Sequence, residues 1–138
     1  MKLHPLALAF AVSVVVACTG CGPLKYELVG SPSATGADAK LTADIKEDQQ
    51  LTAIEFTAQN LAPPDRIKEG LTVFIVWQRK SDQSAWSRVG ALNYDAEARS
   101  GTMAATVPQV AFDLEVTAES DSEAQSPGAV VVFSRRVP

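Results

Sequence analysis

From Leu41 onward the chain alternates between apolar and polar positions. Leu41, Ala43 and Ile45 share one face, and Thr42, Asp44 and Lys46 share the other. After a polar turn at Glu47-Asp48-Gln49-Gln50, Ile54, Phe56 and Ala58 alternate in the same way with Glu55, Thr57 and Gln59. Successive side chains of a strand point to opposite sides, so this period of two predicts a hairpin with one buried face. Asn60 to Arg66 contains Pro63-Pro64 and breaks the run, because proline has no N–H to give a ladder. Leu71 to Trp77 is apolar on both faces, which predicts a central strand. Trp86 to Tyr94, Thr102 to Val107, Phe112 to Ala118 and Ala129 to Phe133 continue the series. Polar turns separate them at Ser81 to Ser84 and Asp95 to Gly101, and an acidic loop runs up to Gly128. Tyr26 to Val29 reads as a first, edge strand. The expected fold is all-β, an antiparallel Ig-like β-sandwich of about seven or eight strands, with a small barrel as the runner-up.

The start of the chain follows a different rule. A basic residue, Lys2, precedes an apolar run from Leu6 to Ala17, and Cys18-Thr19-Gly20-Cys21-Gly22-Pro23 follows. About 12 apolar residues are too few for a bilayer span, which needs about 20. A short basic start, a short apolar run and a small residue before the next segment describe a cleaved export signal. Because this signal ends at cysteine, it resembles a bacterial lipoprotein signal. That resemblance implies cleavage before the cysteine and acylation of its thiol. Val15-Val16-Ala17-Cys18 makes Cys18 the expected lipidation site, and Gly20-Cys21-Gly22 makes Cys21 the alternative. The expected organisation is a signal peptide over 1–17 (alternative end at 20), a lipid-anchored tether over 18–38, and a sandwich domain over 39–138. Neither cysteine is followed by aspartate. By analogy with lipoprotein sorting, the expected location is the outer membrane, facing the periplasm.

Composition narrows the chemistry. The one histidine, His4, lies within the signal, and no cysteine follows Cys21. The mature chain therefore lacks imidazole, which removes Ser-His-Asp and Cys-His catalysis and His-based zinc sites. Cys18-x-x-Cys21 has no second Cys or His pair to complete a zinc shell, nor the βαβ setting of a redox dithiol. Losing the residues before Cys18 removes Lys2 alone among charged side chains, so the net charge goes from −4 to −5. An acidic body is a poor partner for nucleic acid and offers no polybasic membrane patch. No cofactor, no metal and no enzymatic activity are expected.

Trp77 and Trp86, on neighbouring expected strands, are the candidate ligand-binding residues, against the alternative of a core or cross-strand pair. Asp65 to Glu69 reads as a solvated loop, against the alternatives of a partner-docking loop or a short helical turn. Asp113, Glu115, Glu119, Asp121 and Glu123 read as surface acids without a calcium-loop signature. Arg135 and Arg136 read as charges that keep a terminal edge strand soluble.

The order of parts from Leu51 carries a second resemblance. Asn60-Leu61-Ala62-Pro63-Pro64 leads to a strand ending in Val76-Trp77, and Phe112 to Glu119 leads through Ser126-Pro127-Gly128 to Val130-Val131-Val132. This resembles the extracytoplasmic domain of anti-sigma-K-type factors. The chain shows neither the sigma-binding region nor the internal membrane helix of that family. The resemblance implies a β-sandwich at the cell envelope and no reaction. The expected function is a lipid-anchored envelope protein whose non-catalytic β-sandwich serves as a structural or protein-interaction module. Its partners are then the membrane and an envelope protein. The alternative is a small-ligand or glycan-binding module built on Trp77 and Trp86.

Overall fold

The computed structural model describes residues 22–138. Strands β1 (Leu24–Val29), β2 (Asp38–Lys46), β3 (Leu51–Gln59), β7 (Ser100–Val107) and β6 (Asn93–Asp95) form one antiparallel sheet in that order. Strands β5 (Ser87–Ala91), β4 (Val73–Arg79), β8 (Phe112–Glu119) and β9 (Val131–Val137) form the second. The all-β antiparallel sandwich that the alternation predicts is the observed fold.

The period of two places the core. Leu41 and Ala43 of β2 and Ile54, Phe56 and Ala58 of β3 point inward and are buried. Phe74, Val76, Leu114, Val116 and Phe133 meet them from the second sheet. Phe56 and Phe133 join the sheets edge to face, with centroids 5.6 Å apart. That is the geometry an aromatic quadrupole favours.

Three departures have local causes. The segment Trp86 to Tyr94, expected as one strand, splits at Leu92 into β5 and β6, which lie in different sheets. Leu92 is buried at the crossing, and its N–H bonds the Phe74 carbonyl at 2.9 Å. The crossing needs Gly101, because a Cβ there would stand 2.4 and 2.8 Å from Leu92 Cδ2 and Cγ. Gly101→Ala is expected to lower unfolding free energy by about 1–3 kcal/mol, the usual cost of overpacking, measured by urea denaturation.

Secondly, the tether expected over 18–38 is not free from Leu24 on. β1 pairs with β2 from Leu24↔Ala43 to Val29↔Asp38, a longer edge strand than Tyr26 to Val29. A 3₁₀ turn at Pro32–Ala34 follows, capped by the Ser31 hydroxyl, with Ala34 and Ala37 buried. Leu28 supplies the inward apolar contact that ties β1 down. Thirdly, the last strand is displaced from Ala129–Phe133 to Val131–Val137, because Val137 is buried opposite Phe112. Arg135 and Arg136 therefore sit within it.

The sandwich has two distinct ends. At one lie the β2–β3 turn, the β4–β5 and β7–β8 loops, and the end of β9, while β1 begins level with the middle of β2. Thr52 Oγ1 donates to the Gln109 carbonyl at 2.7 Å here, and Arg136 donates to the Lys80 carbonyl at 2.8 Å. At the other lie the β1–β2, β3–β4, β6–β7 and β8–β9 connections. Among the described residues, no helix is long and apolar enough to cross a membrane.

Candidate functional site

The outer face of the four-stranded sheet carries both tryptophans. On β4, Phe74 and Val76 point inward, which sends Ile75, Trp77 and Arg79 outward. Outward positions of a sandwich normally meet water, yet Ile75 and Trp77 are fully buried. The β8–β9 loop covers them. It is bonded across the face at three points. Thr72 Oγ1 donates to the Ser120 carbonyl at 3.1 Å, and Arg88 Nη2 to the Ser122 carbonyl at 2.7 Å. The Gly128 N–H donates to Glu119 Oε2 at 2.9 Å. Beneath the loop, the Trp77 indole N–H donates to Thr117 Oγ1 at 2.8 Å, and the Thr117 hydroxyl donates to that same Glu119 oxygen. The buried indole therefore has its polar atom satisfied, as burial requires.

Nearer the end that bears the β4–β5 loop, this face is open. A cleft of about 650 Å³ is lined by Arg79, Trp86, Asp113, Glu115, Ser134 and Arg136, among others. Trp86 precedes β5 and lies opposite Arg79, whose guanidinium carbon is 4.3 Å from the indole centroid. Arg79 Nε also donates to Asp113 Oδ2 at 2.9 Å, and Arg136 Nη1 donates to Asp113 Oδ1 at 3.3 Å. One carboxylate thus fixes two guanidiniums beside one aromatic ring. These side chains keep considerable solvent exposure, so the pairs contribute more to positioning than to stability. The groups offered to a ligand are guanidinium, carboxylate and hydroxyl beside an indole. In chemical type, such a set suits polar or charged groups and a planar face.

Burial raises the Glu115 carboxyl above its ordinary value; Arg79 opposes this and Glu119 adds to it. A raised folded-state value means that the protonated form is favoured in the fold. The contribution to stability is therefore full below the unfolded value near 4.5 and is lost as pH rises through the folded value. Glu115→Gln is expected to stabilise the protein at pH 7 and to leave it unchanged near pH 4. Thermal unfolding at the two pH values reads the difference.

The structure separates the two candidate ligand residues. Trp77 has no exposed surface and supports the sheet, whereas Trp86 is half-buried and lines the cleft. Asp65 lies in the one-turn helix α1 (Pro64–Ile67), at the opposite end of the sandwich. Asp121 and Glu123 are exposed, as expected of surface acids, but Glu119 is a correction. It is 8% exposed, because the returning loop lays Gly128 against its carboxylate. Nothing in the sequence sets Glu119 apart from its acidic neighbours; the path of the loop makes the difference. Arg135 lies over the Tyr26 ring at 4.4 Å, which joins β9 to β1 across the sheets. Among the described residues, no group of three or more His, Cys, Asp or Glu could hold a metal ion. Cys18, Cys21 and the signal over 1–17 lie outside the described residues.

No family model, curated protein or solved structure matches the chain.

Proposed function

We propose that this is an exported protein, anchored to the cell envelope by a lipid on Cys18 (alternative Cys21), whose β-sandwich is a non-catalytic structural or protein-interaction module. The observation that carries this reading is the place of β1. It is an edge strand that begins at Leu24, with Leu24 39% exposed. The chain leading from the cysteines thus reaches the body at its rim, where an acylated thiol can enter a bilayer without disturbing the core. Several acyl chains, each methylene contributing about 0.8 kcal/mol, give stable anchoring. The residue after each cysteine, Thr19 or Gly22, favours the outer membrane with the body in the periplasm.

Labelling cells with radioactive palmitate tests the anchor. Incorporation is expected in the wild type and in Cys21→Ala, and is expected to be lost in Cys18→Ala. Equal labelling of all three would exclude acylation of these cysteines. A partner protein is expected to be recovered reproducibly by crosslinking from the anchored form.

The open cleft favours one second reading, a polar small-ligand or glycan site. It would use Trp86 with Arg79 and Asp113, while Trp77 serves as buried support. Quenching of Trp86 fluorescence by a panel of sugars, in a Trp77→Phe background, separates this reading from the first.

A further inference from the structure

Given the lipid anchor proposed above, we infer that the end of the sandwich bearing the β2–β3, β4–β5 and β7–β8 connections docks on the headgroup layer of the bilayer, with the opposite end directed away. The link is short. Gly22 shares the lining of one surface cleft with the β2–β3 turn, residues Asp44 to Gln49. Cys21 adjoins Gly22 in the chain, and Cys18 is four residues from it. At about 3.5 Å per residue, even Cys18 lets this end rise only about 14 Å above its lipid. β2 has nine residues, so the sandwich is about 30 Å long between its ends. A body longer than its leash cannot turn the far end toward the membrane.

The charge along this axis agrees. At the anchored end the cations Lys46, Arg79, Lys80, Arg135 and Arg136 balance the acids Asp44, Glu47, Asp48, Asp82 and Asp113. The far end carries Asp38, Asp65, Glu69, Asp95, Glu97 and Glu119 against Arg66, Lys68 and Arg99. An anionic lipid surface repels the second end and tolerates the first. The chemistry of the anchored rim also suits an interface. Trp86 is half-buried there, Leu24 is 39% exposed, and the β7–β8 loop Pro108-Gln109-Val110-Ala111 has no charge. Indole rings settle at the headgroup level, where one edge is wet and the body is apolar.

The test uses the acylated full-length protein, with the non-acylated cysteine replaced by serine, in phosphatidylethanolamine–phosphatidylglycerol vesicles. Single cysteines at Gln83, Thr57 and Thr35 carry an environment-sensitive dye at the anchored end, the sheet face and the far end. Spin-labelled headgroups are expected to quench most of the emission of Gln83→Cys and none of that of Thr35→Cys. Equal quenching at all three, or strongest quenching at Thr57→Cys, would overturn the orientation while leaving the anchor intact. Protein that fails to float with the vesicles would sink the anchor and the orientation together. A Gly/Ser insert of roughly twelve residues before Leu24 is expected to erase the contrast. A contrast unchanged by the insert would overturn the short link as its cause.

Discussion

Trp77→Ala is expected to lower the free energy of unfolding by about 3–5 kcal/mol. Trp77 has no exposed surface, and its burial depends on a loop rather than on the opposing sheet. Truncation leaves a void between β4 and the loop, and removes the donor that holds Thr117. The cost of such a void depends on how far the neighbours can collapse into it. Here the loop is tied at Thr72, Arg88 and Glu119, so it cannot follow the lost ring without breaking those bonds. Urea denaturation measures the loss. Limited proteolysis adds a second readout, with new cleavage between residues 120 and 130. Glu119→Ala opens the same loop with the ring still present and is expected to show that cleavage with a smaller loss of stability. A Trp77→Ala loss under about 1 kcal/mol, typical of surface changes, would mean that the loop does not cover the ring in solution.

Phe56→Ala is expected to cost a similar amount, about 3–5 kcal/mol, by a different route. Phe56 lies between the sheets against Phe133, so its removal weakens the contact that holds the sandwich closed. Unfolding is then expected to remain a single transition at lower denaturant, without selective cleavage of the 120–130 loop. A double-mutant cycle with Phe133→Leu should give a coupling of about 0.5–1.5 kcal/mol for the edge-to-face pair. Additive losses would place the two rings apart in solution.

Much of the sandwich was readable because its signal is local. The alternation at Leu41–Ile45 and Ile54–Ala58 needs no knowledge of distant residues, and both segments face the core as predicted. The double-faced apolar run through Val76-Trp77 correctly indicated a central strand. Its second face is covered by a loop rather than by another sheet, and loop paths leave little trace in hydrophobic periodicity. The split at Leu92 was hidden for a similar reason. It depends on a close approach to Gly101, which is distant in sequence and whose meaning appears only once both strands are placed. The full length of β1 leaves little trace in the pattern, because its inward apolar contribution is small and its neighbours Gly30, Ser31 and Pro32 read as linker. Of the candidate site, Trp86 could be picked out by residue type. Its partners Arg79, Asp113 and Arg136 come from three strands, and only the register joins them.

Those same registers relate the anchor to the cleft. Gly22, which precedes β1, shares a surface cleft with the β2–β3 turn, at the end of the body that also holds the Trp86 loop and Arg136. A ligand in the cleft would lie close to the lipid surface, whereas a protein partner reaching in from the periplasm would meet the acidic far end first. The two functional readings therefore make opposite demands on which surface is covered in the cell.

Intact mass spectrometry of the native protein, extracted from membranes with detergent, tests the central claim most directly. The predicted product begins at Cys18 and carries the added mass of diacylglycerol and a further acyl chain. A product that retains Met1, or one that begins elsewhere with both thiols unmodified, would contradict it.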